Sequence, residues 1–243
     1  MRKISAVLFD LDDTLHDDTA AFQSAAEEVA QEIAAEHGID ALALKDAYMA
    51  EAEGFWQRLT ADQLREKLAT YRVGMWRTAL AKMQIWDDGT LAERSADRYN
   101  RYRAKRLVPF PGALDFLRDL RAKRIKLGLL TNGFAETHRQ KISLLHLSEA
   151  FDAIFIADEI GMVKPDPLLF AHACRKLDAV PAETAMVGDR YDRDIRGALT
   201  AGLFTVWMNM HHAKLPPGAP PPDLTVETLD EVRTAFATLL RKE

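Results

Sequence analysis

All ten prolines of this 243-residue chain lie at position 109 or later, so the first 108 residues contain none of the strongest helix breakers. That asymmetry divides the chain into two regimes. From about Thr19 to the boundary, Ala, Glu, Gln, Leu and Lys recur at helical spacing, interrupted at Gly38, Gly54, Gly74 and Gly89. The pattern predicts about four helices and no sheet. The first runs from about Asp17 to His37, with Asp17, Asp18 or Thr19 to cap its start and Gly38 to end it.

From Pro109 short apolar strands alternate with amphipathic helices, the pattern of βαβ units around a parallel sheet. Strands are predicted at 126–130, 153–156, 185–187 and 204–207, and helices near 111–123, 135–145, 167–177 and 192–201. A short strand at 224–226 and a closing helix with Leu229, Val232, Phe236, Leu239 and Leu240 on one face complete this part. The apolar run Ile4 to Phe9 needs the same sheet, because an isolated strand cannot bury both faces. Residues 17–108 therefore read as a helical domain inserted into one α/β core formed by 1–16 and 109–243. The segment Pro216 to Pro222 is too proline-rich for regular structure and reads as a stiff surface loop.

A formal net charge of -5 with 48% apolar residues fits a soluble globular protein with no general attraction to nucleic-acid polymers. The apolar run after Arg2 and Lys3 stops at Asp10, too short for a signal peptide or a membrane span, so a cytoplasmic protein without a membrane partner is expected. The only cysteine, Cys174, lies in an apolar helical stretch and reads as a small core residue.

Asp10 and Asp12 follow Val7-Leu8-Phe9 directly, which fixes two carboxylates at the rigid tip of a buried strand. Acids so placed repel unless a cation or a proton intervenes, and they read as a catalytic acid pair. Three further polar sites fall where ligands bind in open α/β sheets. Thr131-Asn132-Gly133 offers a hydroxyl and backbone N–H donors suited to phosphate oxygens, although a plain turn uses the same residues. Lys164 precedes Pro165-Asp166-Pro167, on backbone extended enough to aim one ammonium inward. Gly188-Asp189 and Asp194 bring a third and a fourth carboxylate, a helix-start charge being the rival reading of Asp194. Asp10, Asp12, Asp189 and Asp194 gathered together would repel by several kcal/mol at an effective dielectric of about 20. A divalent cation removes most of that repulsion, and an all-oxygen donor set without a Cys/His cluster indicates Mg2+. His211-His212 read as exposed.

These residues resemble the four motifs of the haloacid dehalogenase-like superfamily: Asp10-Leu-Asp-Asp-Thr14, then Thr131-Asn132, then Lys164, then Gly188-Asp189 with Asp194. The resemblance implies a doubly wound, Rossmann-like parallel-sheet core and a helical cap inserted after the first strand. It implies a Mg2+-dependent phosphatase that acts through an aspartyl-phosphate on a small-molecule phosphomonoester. By that resemblance Asp10 is the nucleophile, Asp12 the acid/base, and Thr131, Asn132 and Lys164 the phosphate ligands. Asp10, the backbone carbonyl of Asp12, and Asp189 hold the metal, with Asp194 joining directly or through water, and Thr14 bonds the loop backbone. The commonest form of the first motif has glycine where this chain has Asp13, a residue that also tolerates unusual turn geometry.

Dehalogenases of the superfamily need neither the second aspartate nor a metal, so Asp12 argues against that activity. A phosphomutase and a catalytically silent phosphate-binding protein are the alternatives. The long cap and the segment 188–198 look like the subgroup of nucleotidases and sugar-phosphate phosphatases, including acylneuraminate 9-phosphatases, which implies a nucleoside monophosphate or a phosphosugar. In the helical block, Phe22, Tyr48, Trp56, Trp76 and Trp86 are aromatics able to stack on a substrate, with core packing the commoner use. Arg94, Arg98, Arg101, Arg103, Lys105 and Arg106 form a basic run that either steers anions or makes a solvated helix face.

Overall fold

A computed structural model describes residues 3–58, 68–87 and 89–240. The chain divides into two units, Met1–Asp17 with Val108–Glu243, and Asp18–Leu107. In the first unit, short, largely apolar runs become strands, and the central ones have both faces covered, which is why those show no alternation. Among the described residues these are β1 (Ala6–Phe9), β2 (Lys126–Thr131), β3 (Ala153–Ile156), β4 (Thr184–Gly188), β5 (Phe204–Met208) and β6 (Leu224–Val226). They form one sheet in the order β3-β2-β1-β4-β5-β6, every pairing parallel. The core is thus an α/β doubly wound sheet, and its order reverses direction at β1 and β4.

The connecting helices are α5 (Ala113–Ala122), α6 (Ala135–Leu144), α7 (Ala157–Ile160), α8 (Pro167–Lys176), α9 (Arg196–Thr200) and α10 (Leu229–Leu239). Helix α5 buries Ala113, Phe116, Leu117 and Leu120, a helical stripe that sets Phe116 edge-on to Phe9 of β1 at 5.8 Å. Phe236 of α10 packs on Phe116 in turn. Elsewhere in the core, Leu8, Leu130 and Met186 from the sheet meet Phe170, Ala173 and Cys174 of α8 and Ala198 of α9. Cys174 is a free, buried core residue. The closing helix buries Leu229, Val232 and Phe236, while Leu239 and Leu240 are half-exposed at its end.

The second unit contains α1 (Asp18–His37), α2 (Ala41–Gln57), α3 (Leu68–Lys82) and α4 (Leu91–Ala104), with no strand among its described residues. Gly38 ends α1 at φ 66°, as expected, but Gly54 and Gly74 lie inside α2 and α3 rather than between helices. A glycine costs a helix interior only about 1 kcal/mol relative to alanine. Packing of Leu44, Tyr48, Trp76 and Leu80 into the core of this unit outweighs it. Tyr48 and Trp76 are fully buried and stack at 4.0 Å, whereas Trp86 is 89% exposed. Half of the basic run turns onto the acids of α1: Arg98 pairs with Glu32 at 2.9 Å, Arg103 with Asp18 at 2.5 Å, and Arg106 with Glu28, while Arg94, Arg101 and Lys105 are exposed. Its two proposed uses thus give way, at these three arginines, to pairing between helices.

Candidate active site

In a doubly wound sheet the loops leaving adjacent strands part company where the order reverses, and the crevice between them is the natural ligand site. Here that place is the carboxyl end of β1 and its neighbours. Asp10 follows β1 directly, its N–H bonded to the Val187 carbonyl at 2.9 Å; Thr131 is the last residue of β2; Asp189 follows β4. The chain turns immediately after Asp10, and Asp13 takes the left-handed conformation at φ 54°. Aspartate occupies this region more readily than most residues, which accounts for its service where glycine is commoner.

Lys164 reaches into this crevice on the loop before α8 and is 4% exposed. Its Nζ lies 2.5 Å from Asp10 Oδ1 and 2.6 Å from Asp194 Oδ1. The loop is held by Asn132, whose side chain accepts from the Lys164 N–H at 2.8 Å and donates to the Lys164 carbonyl at 3.0 Å. The side chain of Asn132 is therefore committed to aiming Lys164. Asp166 caps α8 by accepting from the Leu168 N–H at 2.9 Å, with Pro167 at the first helical position.

Asp194 is not an exposed helix-start charge. The predicted helix at 192–201 begins as a π-helical turn, Tyr191–Ile195, before α9, and this wider turn carries Asp194 inward to 1% exposure. A Cβ on Gly188 would sit 2.5 Å from Asp194 Cγ, so only glycine lets the carboxylate lie over the end of β4. Asp194 Oδ2 also accepts from the Arg190 N–H at 2.9 Å. Trp207 of β5 braces the loop by donating to the Asp189 carbonyl at 2.8 Å, and Tyr191 ties it to the proline-rich loop through Pro220 at 2.7 Å.

Carboxylate oxygens of Asp10, Asp189 and Asp194 lie within 4.8 Å of one another. Burial and the like charges of Asp194 and Asp12 push the Asp10 carboxyl up to about 7, against the partial offset of Lys164. Burial, then Asp194, Asp10 and Asp13, raises Asp189 well above the usual carboxylate range. Burial disfavours the Lys164 ammonium, but Asp10 and Asp194 outweigh it and raise its proton affinity. Three carboxylates facing one ammonium leave an excess of negative charge, and this hard oxygen donor set suits a divalent metal ion.

The side chain of Asp12 is engaged elsewhere, so three carboxylates rather than four share the cluster. Asp12 Oδ1 accepts from Lys141 Nζ at 2.6 Å and lies 2.9 Å from His16 Nε2, while Oδ2 lies 3.6 Å from His138 Nε2. Burial opposes its ionisation, but Lys141, His138 and His16 together hold it well below the usual carboxylate range. Sequence reasoning missed these three partners. The available signal was in α6, where His138 and Lys141 occupy buried positions beside Ile142 on an otherwise apolar stripe. Gly133 belongs to the same assembly: at φ +153°, a Cβ there would fall 2.0 Å from His138 Cε1. Thr14 departs from its expected role, since its buried hydroxyl has no hydrogen-bond partner among the described residues. His211 and His212 are exposed.

The chain is 32% identical to a phosphoserine phosphatase of Thermus thermophilus, across 95% of this chain and 98% of that protein. It is 33% identical to an N-acylneuraminate-9-phosphatase of Mus musculus, across 86% of this chain and 84% of that protein. Among solved structures, the hydrolase YfnB of Bacillus subtilis, bound to magnesium, superposes with a TM-score of 0.75 at 23% identity, covering 97% of this chain and 99% of that one. A family model for haloacid dehalogenase-like hydrolases matches residues 4–202, a span that contains every residue of the carboxylate cluster and of the Lys164 and Asp12 contacts. With the sheet order, the aspartates at its switch point and this match in agreement, the chain belongs to the haloacid dehalogenase-like hydrolase family.

Proposed function

We propose that this protein is a Mg2+-dependent phosphomonoesterase that works through an aspartyl-phosphate on Asp10. The observation that carries the proposal is the pairing of two unlike acids two residues apart: Asp10 among carboxylates and Lys164, Asp12 among Lys141, His16 and His138. Separate environments suit separate roles. The relatives named as phosphatases support a phosphomonoester as the substrate. A nucleoside monophosphate or a phosphosugar is the class we assign, with 1–16 and 109–243 as catalytic core and 17–108 as a helical cap that selects among substrates.

An Asp10 carboxylate oxygen attacks phosphorus in line, and the bond to the leaving oxygen breaks with its electron pair on that oxygen. Asp12 supplies the proton that the leaving alkoxide takes. In the substrate-free site Asp12 is an anion; the like charge of an arriving phosphate raises its proton affinity, and it takes the proton it later donates from solvent or from the monoanionic ester. In the second step Asp12 takes a proton from water, which attacks phosphorus and returns Asp10 as a carboxylate. Lys164, aimed by Asn132, offsets charge on the transferring oxygens; the Thr131 hydroxyl and the Asn132 N–H bind the phosphate. The carboxylates of Asp10, Asp189 and Asp194 with the Asp12 carbonyl would hold Mg2+, which supplies further positive charge to the phosphoryl group.

Phosphate release from a panel of nucleotides, sugar phosphates and small phosphoesters tests the proposal, with Mg2+ and with chelator. Turnover that requires Mg2+ and vanishes in Asp10→Asn is expected. Silence of the wild type across the panel would favour a binding role instead.

A further inference from the structure

We propose that Lys141, assisted by His16 and His138, is a positioning device that fixes the Asp12 carboxylate so that Oδ2 is the oxygen that exchanges protons with the leaving group and with water. The inference rests on the phosphomonoesterase reading and adds residues to it.

Lys141 is a costly residue to bury. At 3% exposure its ammonium has lost most of its hydration, a penalty of several kcal/mol that only close pairing offsets. Its Nζ is 2.6 Å from Asp12 Oδ1, and His16, also buried, brings Nε2 to 2.9 Å from the same oxygen. Two donors thus converge on Oδ1 and remove rotation about the last side-chain bond of Asp12. Oδ2 is left with a longer contact, 3.6 Å to His138 Nε2, and the Asp12 side chain keeps 30% exposure, so one oxygen is pinned and the other is open to exchange. The supporting contacts are themselves fixed: His138 Nδ1 lies 3.2 Å from the Phe134 carbonyl, and its ring fills the space that a Cβ at Gly133 would take. A buried ion pair is commonly worth no more to stability than apolar residues of the same volume, so stability alone is a weak reason for a lysine at this position. Here it holds the one carboxylate whose orientation decides proton delivery.

The proton bookkeeping separates this role from a structural one. In phosphoenzyme formation the P–O bond breaks, its electron pair goes to the leaving oxygen, and the proton on Oδ2 moves to that oxygen. An alkyl leaving group needs this proton; a p-nitrophenolate does not. Since kcat/KM reports steps through phosphoenzyme formation, misaligned Asp12 must depress kcat/KM for an alkyl phosphate far more than for p-nitrophenyl phosphate. Hydrolysis of the phosphoenzyme needs Asp12 as base for both, so kcat falls for both.

The test compares wild type, Lys141→Met and Lys141→Arg on glycerol phosphate and p-nitrophenyl phosphate with Mg2+. General acid–base contributions of this kind are worth about 100-fold or more, so Lys141→Met is expected to lose about 100-fold in kcat/KM on the alkyl ester and only a few-fold on the aryl ester. Lys141→Arg restores part of the alkyl activity. In an Asp12→Asn background, Lys141→Met has no further effect on the alkyl ester. Equal losses on both esters, no loss, or additive losses in the double variant would overturn the inference. If Lys141→Met does not fold, His138→Gln is read on the same two esters, with the same contrast expected and equal losses again contradicting it. Wild-type silence on both esters would remove the phosphomonoesterase reading and this inference with it; wild-type turnover with a uniform Lys141→Met defect removes the inference alone.

Discussion

Asp10 and Asp12 stand two residues apart and are driven in opposite directions, one carboxyl pushed up to about 7 and the other held well below the usual range. A chain can do this only if the neighbours of each come from different elements, and they do: Lys164 and Asp194 for Asp10, and α6 with His16 for Asp12. The raised acids give a pH prediction for the protein without metal. A carboxyl whose folded pKa exceeds its unfolded value of 3.8 contributes stability that is full below 3.8 and lost as pH rises through about 7. With chelator present, the melting temperature should therefore rise as pH is lowered from about 8 to about 5. Added Mg2+ should flatten that dependence by favouring the ionised carboxylates; a chelated protein whose melting temperature falls over this window would contradict the charge imbalance. The motif aspartates, Thr131 and Lys164 were legible because each sits beside a recognisable strand or proline. Lys141 and His138 were harder to read, because their partner Asp12 is more than a hundred residues away and only their helical spacing with Ile142 hints at burial, while His16, four residues from Asp12, lies beyond the strand end with no periodic pattern to mark it as buried.

Two glycines show how elements shape this site. Gly188 ends β4 so that Asp194 can lie across it, and Gly133 lets His138 pack beneath Asp12. Gly188→Ala should displace the Asp194 carboxylate while leaving the sheet intact. The expected result is Mg2+ affinity weakened by about 10-fold to 100-fold in calorimetry, with little change in far-ultraviolet circular dichroism. Unchanged affinity would mean that Asp194 has no part in holding the metal. Strands β2 to β6 were readable as apolar runs between turn residues, and β3 and β6 fall at the predicted residues. The helical spacing of the proline-free block was equally plain. What local pattern did not reveal was that Gly54 and Gly74 lie within helices, since core packing around Tyr48 and Trp76 decides that, and that 191–195 widens into a π-helical turn. The π-helical turn goes with the burial of Asp194 against Lys164, a contact between distant parts of the chain.

At the scale of the whole molecule, the strand order is what gathers residues from positions 10, 131, 164, 189 and 194 at one sheet end. Sequence alternation of strands and helices indicated a parallel sheet; the order β3-β2-β1-β4-β5-β6 is a property of the folded chain, and it puts the strand carrying Asp10 between its two chemical neighbours. In the helical unit three residues of the basic run, Arg98, Arg103 and Arg106, are balanced by α1 carboxylates, while Arg94, Arg101 and Lys105 stay exposed. No helix among the described residues is long and apolar enough to cross a membrane. The central claim is that Asp10 becomes covalently phosphorylated, and Asp12→Asn is the variant that exposes it. With the base for the second step removed, p-nitrophenyl phosphate and Mg2+ should give a stoichiometric burst of p-nitrophenol, and acid-quenched protein should carry phosphate on the peptide containing Asp10. p-Nitrophenol released without a burst, from protein that never carries phosphate on Asp10, would contradict the account.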